Sequence, residues 1–302
     1  MAVKVTTKQD KSVSGSLFGQ RVNDYKMLVK LRLSLTVVFS SVMAFLIAGS
    51  QPFRWEAIAI LALGGFLVTG AANALNQVLE KDYDKLMKRT ADRPLAAGRM
   101  STSEAVLAAG LMSLVGIILL ALFNPWTSFF GMLALVSYAF LYTPYKRVSP
   151  LAVVIGAVPG ALPTLIGCVA AQGQLTYLAL ILFAIQFFWQ FPHFWSIGWL
   201  GHEDYQRAGY RIMPEKDGKP DRRVGLQSFI YTIFLLAVSA MPFFLGVTGW
   251  ISLAIVTLLG LCYAAMALQF YRKWNRKTAL SLMFFSFAYI PFTLIVFYLD
   301  KI

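Results

Sequence analysis

Nine apolar runs punctuate the chain, at 33–50, 55–79, 103–123, 127–145, 151–171, 177–199, 225–246, 249–270 and 279–299. Each has about the 17–25 residues that an α-helix needs to cross a bilayer. The pattern predicts an all-α polytopic membrane protein, a bundle of nine transmembrane helices embedded in the lipid bilayer. Two domains follow: a polar tail over 1–32 and a single transmembrane domain over 33–302. The tail has no apolar signal-peptide core, so the first helix is expected to serve as its own insertion signal. Residues Gly156, Gly160 and Gly167 with Pro159 and Pro163 mark the fifth run for close packing and kinks that open a cavity.

The second run does not end cleanly. Asn73, Asn76, Glu80, Asp84 and Lys88 continue it at spacings of three and four, on one face of a helix expected to extend toward Lys88. Polar groups on a membrane helix face a wet or functional interior by default. Asn76, Glu80 and Asp84, with Asn73 beside them, offer the hard oxygen ligands that suit Mg²⁺. Lys88, Arg89 and Arg93 follow at once and suit phosphate oxygens. Asp82 points to the opposite, solvated face.

Charge adds orientation. Only 14% of residues are charged, against about a quarter in soluble proteins. The net charge of +13 is not a nucleic-acid footprint, because the cations cluster in alternate connections. All but Arg54 and Lys301 of the 27 lysines and arginines lie in the tail or after even-numbered helices. This places the N-terminus and both long loops, 80–102 and 200–224, in the cytoplasm. The two loops lie four helices apart and imply a weak repeat of helices 1–4 in 5–8, with a ninth added. Cys168 and Cys262 sit in apolar runs without partners and are read as packing residues.

Three further groups carry candidate chemistry. In the second long loop, Glu203 and Asp204 could hold a second metal, and Arg207 and Arg211 could bind phosphate. Gln186, Gln190 and His193 share one face of the sixth helix among Trp189, Phe191, Phe194 and Trp195, the make-up of a ligand cavity. Lys146 and Arg147 end the fourth helix and could face the phosphate site from another side.

The combination resembles a known family. Asn76-xxx-Glu80-xxx-Asp84, followed by Met87-Lys88-Arg89-Thr90-Ala91-Asp92-Arg93-Pro94-Leu95, is similar to the first motif of the UbiA superfamily of intramembrane prenyltransferases. Tyr142-Thr143 with Lys146-Arg147, Trp189–Phe194, Asp204-Tyr205 through Met213-Pro214, and Lys30-Leu31-Arg32 resemble its heme-directed farnesyltransferase branch. Glu80 stands where the superfamily usually carries Asp, and the second loop lacks the paired aspartates of quinone-directed relatives. The resemblance implies a bacterial inner-membrane enzyme that takes farnesyl diphosphate and heme B to heme O and diphosphate with Mg²⁺. It implies Asn76, Glu80, Asp84, Lys88 and Arg93 as catalytic, the first three as metal ligands. It implies Arg89, Lys146, Arg147, Gln190, His193, Asp204 and Arg207 in substrate binding, His193 or His202 at the heme, and a heme A synthase as recipient. The alternatives are a prenyltransferase for an aromatic or quinone precursor, or a secondary transporter. A transporter would carry its polar residues at the bilayer midplane.

Overall fold

In the computed structural model, residues 17–302 except Gln51 and Phe53 are described. Lys4, Lys8 and Lys11 of the basic tail lie outside the described residues. The chain forms α1 (Leu17–Leu28), α2 (Leu31–Ala48), α3 (Trp55–Asp84), α4 (Thr102–Ala121) and α5 (Pro125–Val136). A π-helical turn, Ser137–Tyr142, carries α5 into the short α6 (Thr143–Tyr145). Then come α7 (Ala152–Gln172), α8 (Tyr177–Leu200), α9 (His202–Arg207), a two-strand hairpin β1 (Glu215–Lys216) and β2 (Lys219–Pro220), α10 (Arg223–Phe244), α11 (Trp250–Lys273) and α12 (Arg276–Leu299). Among the described residues, nine helical segments are long and apolar enough to span a membrane: α2, α3, α4, α5–α6, α7, α8, α10, α11 and α12. The protein is an integral membrane protein.

Local chemistry sets the helix starts. Ser101 accepts a hydrogen bond from the Glu104 amide, Asn124 from Thr127, Thr176 from Ala179 and Asn275 from Thr278. Each side chain satisfies one of the first-turn N–H groups that a helix leaves without a partner.

Packing closes the spans into a ring, with α12 against α11, α8 and α2, and α7 against α2, α5 and α8. α7 is the most buried span. Its small residues allow close approach: a Cβ on Gly167 would meet the Ser41 carbonyl oxygen of α2 at 2.0 Å, and one on Gly156 the Tyr142 ring at 2.6 Å. The outer faces keep leucines exposed, such as Leu107, Leu111 and Leu114 of α4, as a lipid-facing surface does.

The corner between α1 and α2 is built for α3. Lys30 turns the chain in the left-handed region, at φ 48° and ψ 59°. The helical run breaks there, and beyond the Lys30 N–H that reaches Met27 O at 3.2 Å the last carbonyls of α1 need partners from elsewhere. Gln77 of α3 donates to Met27 O at 2.8 Å and Leu28 O at 3.0 Å, and Asn73 donates to Val29 O at 3.3 Å. The segment expected as a tail thus carries a helix docked on the bundle, and Leu28 is fully buried.

A charged cluster at the mouth of an apolar cavity

α3 ends at Asp84, not at Lys88. The chain turns back there, Thr90 Oγ1 donates to the Asp84 carbonyl at 2.9 Å, and Arg93 reaches the Asp84 carboxylate at 2.8 and 2.7 Å. This return corrects the predicted ladder. Lys88 lies beyond the helix, exposed and away from the stripe, and Asp84 pairs with Arg93 instead. Asp82 is exposed and bonds Lys85 at 2.9 Å.

Three cation-to-oxygen contacts define the cluster. Lys146 Nζ lies 2.7 Å from Glu80 Oε1, Arg93 pairs with Asp84, and Lys30 Nζ donates to Asn76 Oδ1 at 3.0 Å. Asn76 Nδ2 donates to Thr143 Oγ1 at 3.0 Å, which ties α3 to the start of α6. Glu80 and Asp84 are 4% and 1% exposed, so these charges meet in a low-dielectric interior. Lys30 is the site residue that hydropathy hides, because it reads as one more tail cation. Its place immediately before the first span was the available signal. Burial, then the nearby Arg93 and Lys146, push its ammonium pKa well below the usual lysine value.

Asn73, expected beside the ligand set, holds the α1–α2 corner and Ser34 Oγ at 3.2 Å. Asn76, Glu80 and Asp84 remain as the oxygen donors. Among the described residues no three His, Cys, Asp or Glu side chains gather as a metal cage. Two buried carboxylates one helical turn apart and an amide oxygen fit a Mg²⁺ ion that completes its shell with substrate phosphate and water.

The second loop covers the cluster. Arg211 N donates to Lys146 O at 2.7 Å, and Arg89 reaches Tyr205 Oη at 3.4 Å. Met87, Ala208 and Tyr210 form a small apolar lid. The Tyr210 hydroxyl is buried beside Glu80 and Asp84. Burial, and then the charges of Glu80 and Asp84, raise its pKa. Asp204 pairs with Arg207, Glu203 and Arg211 are exposed, and His202 faces Glu215 at 3.8 Å. A second carboxylate site in this loop is therefore not assembled among the described residues. Arg147 lies over the Tyr83 ring at 4.4 Å, beside the cluster.

Tyr138 and Tyr142 connect the cluster to a cavity of about 260 Å³ that both rings line. The Tyr138 hydroxyl is 3.5 Å from Lys30 Nζ, and Lys146 Nζ sits 4.6 Å above the Tyr142 ring. Both tyrosines belong to the π-helical turn, an irregularity frequent at functional sites. Their four-residue spacing to each other and to Lys146 was legible in the sequence, yet the predicted site omitted them. Gly156, Pro159, Gly160 and Pro163 form the α7 wall, and Gln186, Trp189, Gln190 and His193 the α8 wall. The glutamines brace these walls: Gln186 donates to Gly160 O at 3.1 Å and Gln190 to Ala157 O at 3.0 Å. Leu33 of α2 and Phe287 of α12 line the same cavity and are 48% and 52% exposed, so it reaches the lipid-facing surface.

The chain matches the UbiA prenyltransferase family over residues 37–288. It is 43% identical over 285 residues to a protein of Flavobacterium johnsoniae named protoheme IX farnesyltransferase, covering 92% of this chain and 94% of the relative. A protein of Cytophaga hutchinsonii with the same name is 40% identical, with 92% and 97% covered. Among solved structures, a digeranylgeranylglyceryl phosphate synthase superposes with a TM-score of 0.79 at 16% identity, covering 93% of this chain and 98% of that one. A UbiA homolog from Archaeoglobus fulgidus bound to GPP and Mg²⁺ superposes with a TM-score of 0.65 at 13% identity, with 91% and 99% covered. At these identities the likeness to the two structures is one of fold.

Proposed function

The chain belongs to the UbiA prenyltransferase family, and from that premise we propose that it transfers the farnesyl group of farnesyl diphosphate to a vinyl group of heme B, giving heme O and diphosphate. The observation that carries this reading is the junction at Tyr138 and Tyr142, where a buried cationic cluster opens into an apolar cavity. A prenyl diphosphate has the same two halves. The relatives named protoheme IX farnesyltransferase support the choice of acceptor.

Lys30, Lys146 and Arg93 bind the diphosphate in this reading. With Lys30 protonated, three cations against the carboxylates of Glu80 and Asp84 leave the cluster one positive charge in excess. An arriving polyanion opposes the lowering that burial, Arg93 and Lys146 impose on Lys30 and favours the protonated ammonium. Asn76, Glu80 and Asp84 would hold Mg²⁺, which supplies Lewis-acid stabilisation of the leaving group. The farnesyl C1–O bond breaks with its electron pair staying on diphosphate, where the fixed cations favour the developing charge. The terminal vinyl carbon of heme B bonds to farnesyl C1, water adds to the resulting carbocation, and one proton is released to solvent. Tyr138 and Tyr142 border the allylic cation with their ring faces. The cavity walls of α7 and α8 keep water from C1 until the carbon–carbon bond has formed.

The N-terminus and both loops lie on the cytoplasmic side of a bacterial inner membrane in this reading, with heme O passing to a heme A synthase. The alternating cation distribution supports the orientation. The test is expression in membranes that lack their own heme O synthase, followed by heme extraction and chromatography with mass detection. A farnesylated, hydroxylated heme is expected; in isolated membranes supplied with farnesyl diphosphate and heme B, its further formation should stop on addition of EDTA and resume with Mg²⁺. Heme B alone, from a protein shown to be folded and inserted, would refute the acceptor.

A further inference from the structure

His193 is 8% exposed and lines the cavity, and its ring is held rigidly. It stacks on Trp189 at 4.9 Å with an interplanar angle of 18°, and Phe287 closes its edge at 5.1 Å. Its Nδ1 lies 2.7 Å from Ser286 Oγ on α12. That hydroxyl also lies 2.5 Å from the Met283 carbonyl oxygen, which can only accept.

The short contact decides the tautomer. If Ser286 turned its single proton toward His193, two oxygens would face each other at 2.5 Å with no proton between them. With the proton on Met283 O, both contacts become hydrogen bonds, and Nδ1–H must be the donor to Ser286. Nε2 then carries a lone pair, and no described residue hydrogen-bonds to it. A histidine with one nitrogen anchored as a donor and the other unprotonated is the arrangement that metal-binding imidazoles adopt.

We propose that Ser286 is a positioning residue: it fixes His193 in the Nδ1–H tautomer, so that Nε2 is an axial ligand for the iron of the macrocyclic acceptor. The inference rests on the heme reading above and adds how the acceptor is held. Iron ligation anchors the porphyrin plane at α8 and α12, at the end of the cavity that reaches the lipid surface beside Phe287. The peripheral vinyl groups are then free to approach the cluster end.

The experiment uses the full chain in nanodiscs, titrated separately with ferric protoheme and with iron-free protoporphyrin IX. The wild type should bind protoheme with the absorption spectrum of an imidazole-ligated iron. His193→Ala should lose that spectrum and regain it with added imidazole. Ser286→Ala should weaken protoheme binding about tenfold or more, the usual cost of losing a ligand's hydrogen-bond partner. Protoporphyrin binding should change less than twofold in both variants, which also reports that they are folded. If Ser286→Ala weakens both porphyrins alike, or leaves protoheme binding unchanged, the positioning role is refuted. If wild-type protein binds protoheme without any His193-dependent spectrum, the ligation is refuted while the acceptor stands. Failure of the wild type to bind either porphyrin refutes the heme reading itself, and the inference with it.

Discussion

Arg93→Ala isolates the electrostatic logic of the cluster. Arg93 places one nitrogen 2.8 and 2.7 Å from the two Asp84 oxygens, and the side chains are only 15% and 1% exposed. Removing the guanidinium strands a carboxylate that water does not reach, which costs about 3–5 kcal/mol. At roughly 2 °C per kcal/mol for a chain of this size, the unfolding midpoint falls by about 6–10 °C. Replacing both partners, Asp84→Asn with Arg93→Met, removes the stranded charge and should recover most of that loss. Farnesyl transfer should be absent from both variants, because each lacks the guanidinium and the double variant lacks the carboxylate as well. The assay is thermal unfolding in a single detergent, followed by intrinsic tryptophan fluorescence at several scan rates, with product formation measured in parallel. A double variant as unstable as Arg93→Ala would show that the lost stability does not come from the buried charge. Normal transfer by Arg93→Ala would remove Arg93 from the site, and normal transfer by the double variant would remove both residues.

The other predictions concern single positions. Lys30 has a lowered pKa when folded, so below about pH 10.4 the unfolded chain binds more protons there, and stability rises with pH through the interval between the two pKa values. Lys30→Met should flatten that slope below about pH 10.4 and abolish transfer; an unchanged slope counts against the burial of this amine. Lys146→Ala should lower the turnover rate by roughly 10²–10³, as loss of a fixed charge-stabilising donor does, whereas Lys88→Ala, at an exposed position, should stay within about twofold. Equal losses at the two lysines would contradict the observed helix end at Asp84. Gly167→Ala should destabilise by about 1–3 kcal/mol, since its Cβ would lie 2.0 Å from the Ser41 carbonyl oxygen and force α2 from α7; an unchanged midpoint would mean that this contact relaxes freely.

The periodic signals were legible in the sequence wherever burial in lipid demanded them. The nine predicted runs coincide with the nine spans found among the described residues to within a few residues, because an unpaired backbone in hydrocarbon leaves a helix as the only local solution. Asn76, Glu80 and Asp84 were legible for a related reason: a regular helix puts residues four apart on one face. Lys88 failed on the same argument, because periodicity carries no information about where a helix stops when the stop is imposed by Thr90 and Arg93 returning to Asp84. Asn73 and Gln77 look like site residues, and only the α1–α2 corner shows that their amides serve the carbonyls of Met27, Leu28 and Val29.

Hydropathy and periodicity alone carried the membrane class, the approximate position of each span among the described residues, and the face of α3 that bears the carboxylates. Those properties follow from hydropathy and helical repeat, which act over tens of neighbouring residues. The tertiary structure decided which cation meets which carboxylate. Lys30 and Asn76 are 46 residues apart, Lys146 and Glu80 are 66 apart, and His193 and Ser286 are 93 apart. No local pattern encodes such pairs; they exist because ring closure brings α2, α3, the end of α6, α8 and α12 around one cavity, where a buried charge or imidazole must find its partner across the bundle.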